Sequence, residues 1–322
     1  MHYDTKINEL RAIIASKLSP VIGDKCIIAD APYYANIGDV LIWQGTEDFL
    51  LSENKTIIST NSNCTFTFPK LDSDVTIILM GGGNFGDLWR WFQDARLKII
   101  SHYPHNRIVM LPQSVWYNAD SLIDRDATVF ARHNDLYLCA RDNYSYQFLL
   151  KHFSANHILL VPDMAFHINE NRLETFRHHD SGKSLFFRRL DKELSDSTPE
   201  ILQNHTDIRD WPTMEKLPLK LLLLNYALRI TNRLHPLHFL HKIISKPIDI
   251  IAQKAFKSHL VTEGCRFLSQ YTNVTSSRLH AMILAFLLHK PVTFIDNTTG
   301  KLSAFADTWL TDSPYISKYE SD

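Results

Sequence analysis

The amino-acid sequence predicts an α/β protein built as two Rossmann-like domains that face a cleft. Three observations support this fold class. Short apolar runs alternate with helix-like stretches, which is typical of βαβ units and a parallel sheet. The alternation restarts after a polar stretch at residues 177–182. The chain has 322 residues, and at roughly 100–200 residues per domain this length fits two domains.

The first half begins with an amphipathic helix and continues as strands and helices. Residues 1–20 mix charged and apolar side chains at helical spacing, unlike a signal peptide. Residues 25–29 predict a buried strand and residues 39–50 a helix. Further strands are expected at residues 75–80, 107–111, 136–139 and 157–161, and further helices at residues 87–100 and 142–153.

The second half repeats this pattern after residues 170–183, where we expect the domain boundary. Strands are predicted at residues 184–187, 272–275 and 292–295, with an apolar helix at residues 280–288. We therefore expect domains at residues 1–175 and 176–322. Open α/β domains bind ligands outside the carboxyl ends of their strands, which places the site in the cleft between the domains.

Composition and charge exclude several classes of protein. The 34 basic and 35 acidic side chains give a net charge of -1, which offers no electrostatic reason to expect nucleic acid as a partner. The four cysteines form no CxxC pair, and no closely spaced His and carboxylate triads occur, so we expect neither disulfides nor a metal. No apolar run reaches the length of a membrane span. We expect a soluble, cytoplasmic protein.

Four of the ten glycines fall within six residues, in the stretch Gly81-Gly82-Gly83-Asn84-Phe85-Gly86. The stretch matches the G-x-G-x-x-G pattern of dinucleotide-binding turns. However, the next strand ends without an Asp or Glu placed to hold a ribose. A turn that opens its backbone N–H groups toward a polar or anionic ligand fits better. Gly182-Lys183-Ser184 is not a P-loop, because residue 177 is Arg where that motif needs Gly.

Polar side chains follow two of the predicted strands. Asn36 and Asp39 lie between a strand and a helix, and Asn84 and Asp87 repeat the arrangement. Asp39 is either a helix N-cap or, with Asn36, a ligand for sugar hydroxyls. Two such pairs aimed at one cleft indicate a polyhydroxyl ligand.

Two basic stretches also lie at strand ends. Arg141 follows the strand at residues 136–139 and is either a ligand-binding group or a surface arginine paired with Asp142. Ser276-Ser277-Arg278-Leu279-His280 joins a strand to an apolar helix. Here a serine can cap the helix, Arg278 offers a bidentate fork for phosphate or carboxylate, and His280 titrates near neutral pH. The alternative is a capped helix with an incidental Arg and His.

Residues 216–257 contain eight Lys or Arg, three His and a single acid, Asp249. One interpretation is a pair of helices with a solvated basic face. The other is an interfacial helix that rests on anionic lipid, which predicts peripheral contact with the inner face of the cell membrane.

Taken together, these motifs resemble the polysaccharide pyruvyl transferase family over residues 30–305. In the first half the resemblance is carried by Asn36-Ile37-Gly38-Asp39, Gly81-Gly82-Gly83-Asn84-Phe85-Gly86-Asp87, Leu111-Pro112-Gln113-Ser114, Ala140-Arg141-Asp142 with Ser145, and Pro162-Asp163-Met164-Ala165. In the second half it is carried by Arg189-Leu190-Asp191-Lys192-Glu193, Ser277-Arg278-Leu279-His280 and Asp296-Asn297-Thr298-Thr299-Gly300-Lys301.

The resemblance implies a fold similar to GT-B glycosyltransferases. It also implies transfer of pyruvate from phosphoenolpyruvate to two hydroxyls of one sugar, giving a pyruvate ketal on a bacterial exopolysaccharide or other surface-glycan precursor and releasing phosphate. No cofactor is expected beyond this donor substrate.

From the residues and the resemblance together we expect three groups of site residues. The catalytic group is His280, Arg278 and Asp39. The group that binds phosphoenolpyruvate is Arg141, Arg189, Ser277 and Lys301. The group that binds the sugar or lipid-linked oligosaccharide acceptor is Asn36, Asn84, Asp87 and Gln113. Two alternative functions are a GT-B-like glycosyltransferase that uses a nucleotide sugar and a non-catalytic sugar-binding member of the fold.

Overall fold

The computed structural model describes residues 2–177, 181–189, 207–296 and 299–319. Three groups of residues from the predicted motifs and boundaries therefore lie outside the described residues: residues 178–180 of the polar stretch, residues 190–193 of the motif that begins at Arg189, and Asn297 and Thr298.

The described residues form two parallel sheets flanked by helices. The strands are β1 (Lys25–Ile28), β2 (Thr56–Thr60), β3 (Val75–Leu79), β4 (Gly82–Gly86), β5 (Ile108–Trp116), β6 (Leu136–Ala140), β7 (His157–Leu160), β8 (Ser184–Phe187), β9 (Asp207–Arg209), β10 (Asn273–Ser276), β11 (Val292–Phe294) and β12 (Ile316–Lys318). The helices are α1 (Tyr3–Leu18), α2 (Ile37–Ser52), α3 (Arg90–His102), α4 (Asp120–Phe130), α5 (Asn143–His152), α6 (Glu170–Arg177), α7 (Pro212–Glu215), α8 (Leu219–Arg233), α9 (His238–Ile251), α10 (Lys257–Ser269), α11 (Leu279–Leu287) and α12 (Lys301–Trp309).

The two sheets have the same doubly wound strand order. The first sheet runs β2-β1-β3-β5-β6-β7, with β4 paired to β5. The second runs β9-β8-β10-β11-β12. In each sheet the order reverses beside the first strand, between β1 and β3 and between β8 and β10. Such reversal points are where open α/β sheets bind ligands, outside the carboxyl ends of the strands. The expected fold class, two Rossmann-like domains facing a cleft as in GT-B glycosyltransferases, is confirmed.

A continuous apolar core joins helices of both halves of the chain. Ile37 and Trp43 of α2 belong to the same buried cluster as Met282 and Phe286 of α11. The amino-terminal α1 also reaches the second half, where the ring centroids of Tyr3 and Phe286 lie 5.1 Å apart. The two reversal points therefore face each other across a packed interface.

One expected element is wrong. The glycine-rich stretch is the strand β4 and not a turn leading directly into a helix, and α3 begins later, at Arg90. Close packing on β5 explains this difference. Gly86 has a φ of 112°, and a Cβ on it would lie 1.9 Å from the carbonyl oxygen of Trp116. Glycine is needed because no larger residue could approach β5 this closely.

Candidate active site

A cavity of about 320 Å³ lies where the two reversal points meet. The first sheet contributes strand β4 and the segments that follow β1, β4 and β6. The second contributes the segments that follow β8, β9, β10 and β11. The lining residues are Tyr34, Asn36, Asp39, Gly83, Asn84, Trp89, Phe92, Arg141, Arg189, Trp211, Met214, Arg278, Leu279, His280 and Lys301.

Eight of the eleven expected site residues line this cavity. They are His280, Arg278, Asp39, Arg141, Arg189, Lys301, Asn36 and Asn84. The structure thus places the expected cationic side chains and three of the expected polar side chains on one cavity, although they come from segments up to about 265 residues apart in the chain. Their roles in binding or chemistry stay predictions.

Arg141 and His280 meet at Asp163, a buried carboxylate that follows β7. Arg141 Nη1 donates to Asp163 Oδ2 at 2.8 Å, and His280 Nε2 lies 3.3 Å from the same oxygen. His280 Nε2 is also 3.3 Å from Arg141 Nη1. Because a guanidinium only donates and a carboxylate only accepts, Nε2 either accepts from Arg141 or donates to Asp163, according to whether it carries a proton.

Asp163 is ionised in this arrangement. Burial alone would favour its neutral form, but His280, Arg141 and the Ala165 amide more than offset that effect. The pKa of Asp163 therefore lies well below its usual range. The carboxylate holds two side chains from opposite sheets in fixed positions.

The ring of His280 also packs directly on the backbone of α2. A Cβ on Gly38 would lie 2.6 Å from His280 Nδ1, which is closer than atoms can approach without displacement. Glycine at this position lets the imidazole reach the cavity wall.

Arg278 is held by a second buried carboxylate, Asp210. Its Nε and Nη2 atoms donate to the two oxygens of Asp210 at 2.5 and 2.6 Å. Both side chains are almost fully buried. The two-pronged edge that we expected to bind phosphate therefore contacts Asp210, which fixes the orientation of the guanidinium at the cavity wall.

The polar wall of the first sheet is built around Asp39. Asn36 caps α2 by accepting from the amide of Gly38, and its Nδ2 donates to Asp39 Oδ2 at 2.8 Å. The N-cap is thus Asn36, and the N-cap interpretation of Asp39 is wrong. Burial and the neighbouring carboxylate of Asp39 raise the pKa of Tyr34 well above its usual value, so the phenol stays protonated and donates to Asp39.

Two further cavity residues lie close to Gly83 of β4. The position that a Cβ on Gly83 would take is 3.1 Å from Lys301 Nζ and 3.2 Å from Arg141 Nη2. Two cationic groups from the two halves of the chain therefore converge at one point. Next to them, Asn84 Oδ1 is buried and accepts no hydrogen bond from the described residues. It is an acceptor placed for a ligand hydroxyl.

The other three expected site residues have structural contacts outside the cavity. Ser277 Oγ accepts from the Arg189 amide and donates to the Phe187 carbonyl. Asp87 accepts from the amides of Asn118 and Ala119 before α4. Gln113 is buried and donates to the Met80 carbonyl at 2.6 Å. The expected serine cap of α11 is also not formed, because Ser276 Oγ accepts from the Arg278 amide and Ser277 holds Arg189.

The sequence alone indicated no role for Asp163, for Asp210 or for the apolar side chains that line the cavity. Asp163 stands directly after a predicted strand, so its position at a carboxyl strand end was a usable signal. Asp210 carries no such signal, because β9 has only three residues. The apolar wall is formed by Tyr34, Trp89, Phe92, Trp211 and Met214.

Within the described ranges, no group of three or more His, Cys, Asp or Glu side chains is arranged to hold a metal ion. The four cysteines are free and buried. Across the same part of the chain, every helix is too short or too polar to cross a membrane.

Two doubly wound parallel sheets that share one cavity lined by cationic side chains define a protein of GT-B-like fold. The family model described as polysaccharide pyruvyl transferase matches residues 36–299. The chain belongs to this family and is a pyruvyl transferase.

Individual proteins agree with this assignment. The chain is 34% identical over 292 residues to EpsO of Bacillus subtilis, provisionally named a pyruvyl transferase, covering 89% of this chain and 86% of that one. It is 29% identical over 333 residues to Pyruvyl transferase 1 of Schizosaccharomyces pombe, covering 96% and 71%. A crystal structure of an uncharacterised protein from Klebsiella pneumoniae shares the fold, with a TM-score of 0.57, 18% identity and coverage of 97% and 98%.

Proposed function

We propose that this pyruvyl transferase uses phosphoenolpyruvate as donor and forms a cyclic pyruvate ketal on two hydroxyls of one sugar residue in a surface-glycan precursor. The observation that carries the proposal is the convergence of Arg141, Arg189, Arg278 and Lys301 on one cavity with His280. Phosphoenolpyruvate carries a phosphate and a carboxylate, and so needs several cationic partners. Each charged hydrogen bond contributes roughly 1.5–3 kcal/mol.

The chemistry that we propose begins at the methylene carbon of phosphoenolpyruvate. A proton adds to this carbon, which becomes the methyl group, and the former enol carbon becomes an oxocarbenium-like centre. One sugar hydroxyl attacks that centre and loses its proton. The C–O bond to phosphate then breaks, and the second hydroxyl forms the second C–O bond of the ketal. The two sugar hydroxyls release two protons in all. One replaces the proton that was added to the methylene carbon, and the other leaves on the phosphate.

The side chains on the cavity suit these steps. The imidazole of His280 lies at the cavity wall and is our candidate for the proton transfer to carbon. Asp39, held by Asn36 and Tyr34, is our candidate for orienting or deprotonating a sugar hydroxyl. Asn84 offers a buried acceptor to a second hydroxyl. The arginines and Lys301 stabilise the negative charge of the departing phosphate.

The test is an assay with phosphoenolpyruvate and a panel of galactosides, glucosides and N-acetylmannosaminides. We expect acceptor-dependent phosphate release together with the mass gain of one pyruvyl ketal on at least one acceptor. His280→Gln and Lys301→Met should each lower turnover by at least about a hundredfold.

Matched variants outside the cavity control for the loss of a histidine or a lysine. His259→Gln removes an exposed histidine of α10, and Lys151→Met removes an exposed lysine of α5. Both should leave turnover unchanged. If no acceptor releases phosphate, or if phosphate release continues without a ketal product, the proposed reaction is wrong.

A further inference from the structure

Helix α8 has two apolar stripes on opposite sides. One stripe packs into the protein through Leu221, Leu224 and Leu228. At 100° per residue, the second stripe lies about half a turn away from the first. This second stripe is exposed to solvent: Leu219, Leu222, Leu223, Tyr226 and Ile230 are between 38% and 70% exposed.

Helix α9 repeats this arrangement. His241, Ser245, Ile248 and Asp249 face the protein. The opposite side of α9 presents Phe239, Leu240, Ile243, Ile250 and Ile251, and Phe239 is 77% exposed. We call the exposed side chains of residues 219–251 the outer face of the α8–α9 hairpin. An apolar surface of this extent on a folded protein marks an interaction site.

The hairpin does not need its outer face for attachment to the protein. Asp249 accepts from Asn61 and Thr65, which lie beyond the carboxyl end of β2. His241 Nε2 lies 2.9 Å from the carbonyl oxygen of Cys64. These contacts and the inner stripes hold α8 and α9 in place, so the outer stripes have no partner among the described residues.

The charges around the outer face have one sign. Seven basic side chains in residues 216–254 are exposed: Lys216, Lys220, Arg229, Arg233, Lys242, Lys246 and Lys254. The single acid of this segment, Asp249, is buried in the hydrogen bonds described above. The outer face is therefore both apolar and positively charged.

We propose that the outer face of the α8–α9 hairpin docks on an anionic lipid bilayer. Exposed leucines, isoleucines and a phenylalanine flanked by lysines and arginines are the side chains that lie in the interface of such a membrane. The positive charge of the outer face complements the negative charge of such a bilayer, which favours the membrane as its partner. Self-association through the same face would bring the two sets of basic side chains together, which is unfavourable.

The position of the hairpin connects this surface to the cavity. Met214 and Trp89 line the cavity and are 38% and 37% exposed. Only four residues separate Met214 from Leu219, the first residue of α8. Docking of the outer face thus brings Met214, an exposed residue of the cavity wall, toward the lipid surface, where an acceptor carried on a membrane lipid would be found.

Vesicle sedimentation tests this proposal without phosphoenolpyruvate or acceptor, so its outcome is independent of the proposed reaction. The vesicles are phosphatidylcholine alone and phosphatidylcholine mixed with phosphatidylglycerol. We expect the full chain to bind the anionic vesicles preferentially. Leu223→Ser with Phe239→Ser should weaken binding at least about tenfold, because both side chains would otherwise enter the interface. Lys242→Glu with Lys246→Glu should remove the preference for anionic vesicles.

Matched controls change exposed residues elsewhere. Leu51→Ser with Ile58→Ser removes two exposed apolar side chains, and Lys17→Glu with Lys151→Glu makes the same change of net charge. Both should bind as the parent chain does. No binding, equal binding to both vesicle types, or unchanged binding of the Leu223 and Phe239 variant would overturn the proposal. The chain could also fail to bind vesicles and instead form a dimer that the Leu223 and Phe239 variant does not form. That result would assign the outer face to a second copy of the chain.

Discussion

Asp163 is a single carboxylate on which two candidate site residues depend. Arg141 comes from the first sheet and His280 from the second, and both lie within 3.3 Å of the same oxygen. The resemblance places Asp163 in a motif, but its role follows only from the structure.

We expect Asp163→Asn to lower turnover by at least about a hundredfold, because His280 and Arg141 lose the anion that positions them. The free energy of unfolding should also fall by about 3–5 kcal/mol, since Arg141 would be left as a buried charge without its partner. Turnover and urea unfolding measure the two effects. Asp135→Asn is the control, because its pair with Arg107 is 37–40% exposed and worth less than about 1 kcal/mol. Turnover close to that of the parent chain would contradict the positioning role.

Gly38 leaves space for the ring of His280, and this gives a testable prediction. We expect Gly38→Ala to displace the imidazole of His280, since the new Cβ would lie 2.6 Å from Nδ1. A displacement of about 1 Å at a catalytic group costs roughly a hundredfold in rate. The free energy of unfolding should fall by about 1–3 kcal/mol, because the added methyl group overpacks this position.

A second glycine outside the cavity serves as control for Gly38→Ala. In Gly23→Ala the nearest neighbour of the new Cβ is the side-chain oxygen of Thr76 at 3.1 Å. Kinetic assays of both variants should show a loss only for Gly38→Ala. Equal rates for the two variants would show that the imidazole does not need this space.

For these residues, the sequence predicted well which side chains lie at the cavity. It predicted poorly which partner each side chain contacts. Arg278 and His280 were predicted because they follow a strand, and topology alone brings strand ends together. Asp210 was missed because its importance depends on the bidentate contact with Arg278, 68 residues away. Asp87 and Gln113 were expected in the site because they share motifs with cavity residues, yet their side chains turn toward neighbouring backbone.

Strand β4 depends on a buried ion pair beneath it. Arg96 of α3 donates to Asp30 at 2.9 Å and to the Met80 carbonyl at 3.0 Å, and Asp30 accepts from the Met80 amide. Gln113 donates to the same carbonyl. These contacts fix the chain where it enters the glycine-rich strand, and they explain why an irregular strand can present Gly83 and Asn84 to the cavity.

We expect Arg96→Met to lower the free energy of unfolding by about 3–5 kcal/mol, because the buried carboxyl group of Asp30 would lose its partner. Activity should fall as well, although Arg96 does not line the cavity. Adding Asp30→Asn should recover part of the stability. Lys25→Met, which breaks the exposed pair with Asp74, should cost less than about 1 kcal/mol in urea unfolding. A loss no larger for Arg96→Met than for this control would show that the pair does not hold β4.

Among the elements, regular apolar periodicity was enough to predict most of the strands and helices of the first sheet. The glycine-rich stretch was missed because glycine is typical of turns, and its extended form depends on pairing with β5. β9 and β12 were missed because each contains a single apolar residue. β11 is equally short but was predicted, because it lies in an apolar run. Local sequence does not contain the tertiary contacts that stabilise these strands.

In the whole molecule, α9 belongs to the second half of the chain but is fastened to the first sheet. Asp249 accepts hydrogen bonds from Asn61 and Thr65, next to the buried phenol of Tyr33. The charged hairpin is thus part of the packed structure, and the protonation state of one carboxylate affects the contact between the two halves.

Burial raises the pKa of Asp249 from 3.8 to about 6, with its hydrogen bonds opposing the shift. The folded protein therefore binds this proton more tightly than the unfolded chain. The stabilisation that this provides is fully present below the unfolded pKa and is lost as the pH rises through the folded value. We expect the parent chain to lose about 2 kcal/mol relative to Asp249→Asn between about pH 4 and about pH 8. Urea unfolding of both proteins across this range measures the difference, and the comparison cancels the other titrating groups. A difference that stays constant with pH would show that Asp249 titrates in the folded protein as it does in the unfolded chain, and that its burial costs nothing when the two halves pack together.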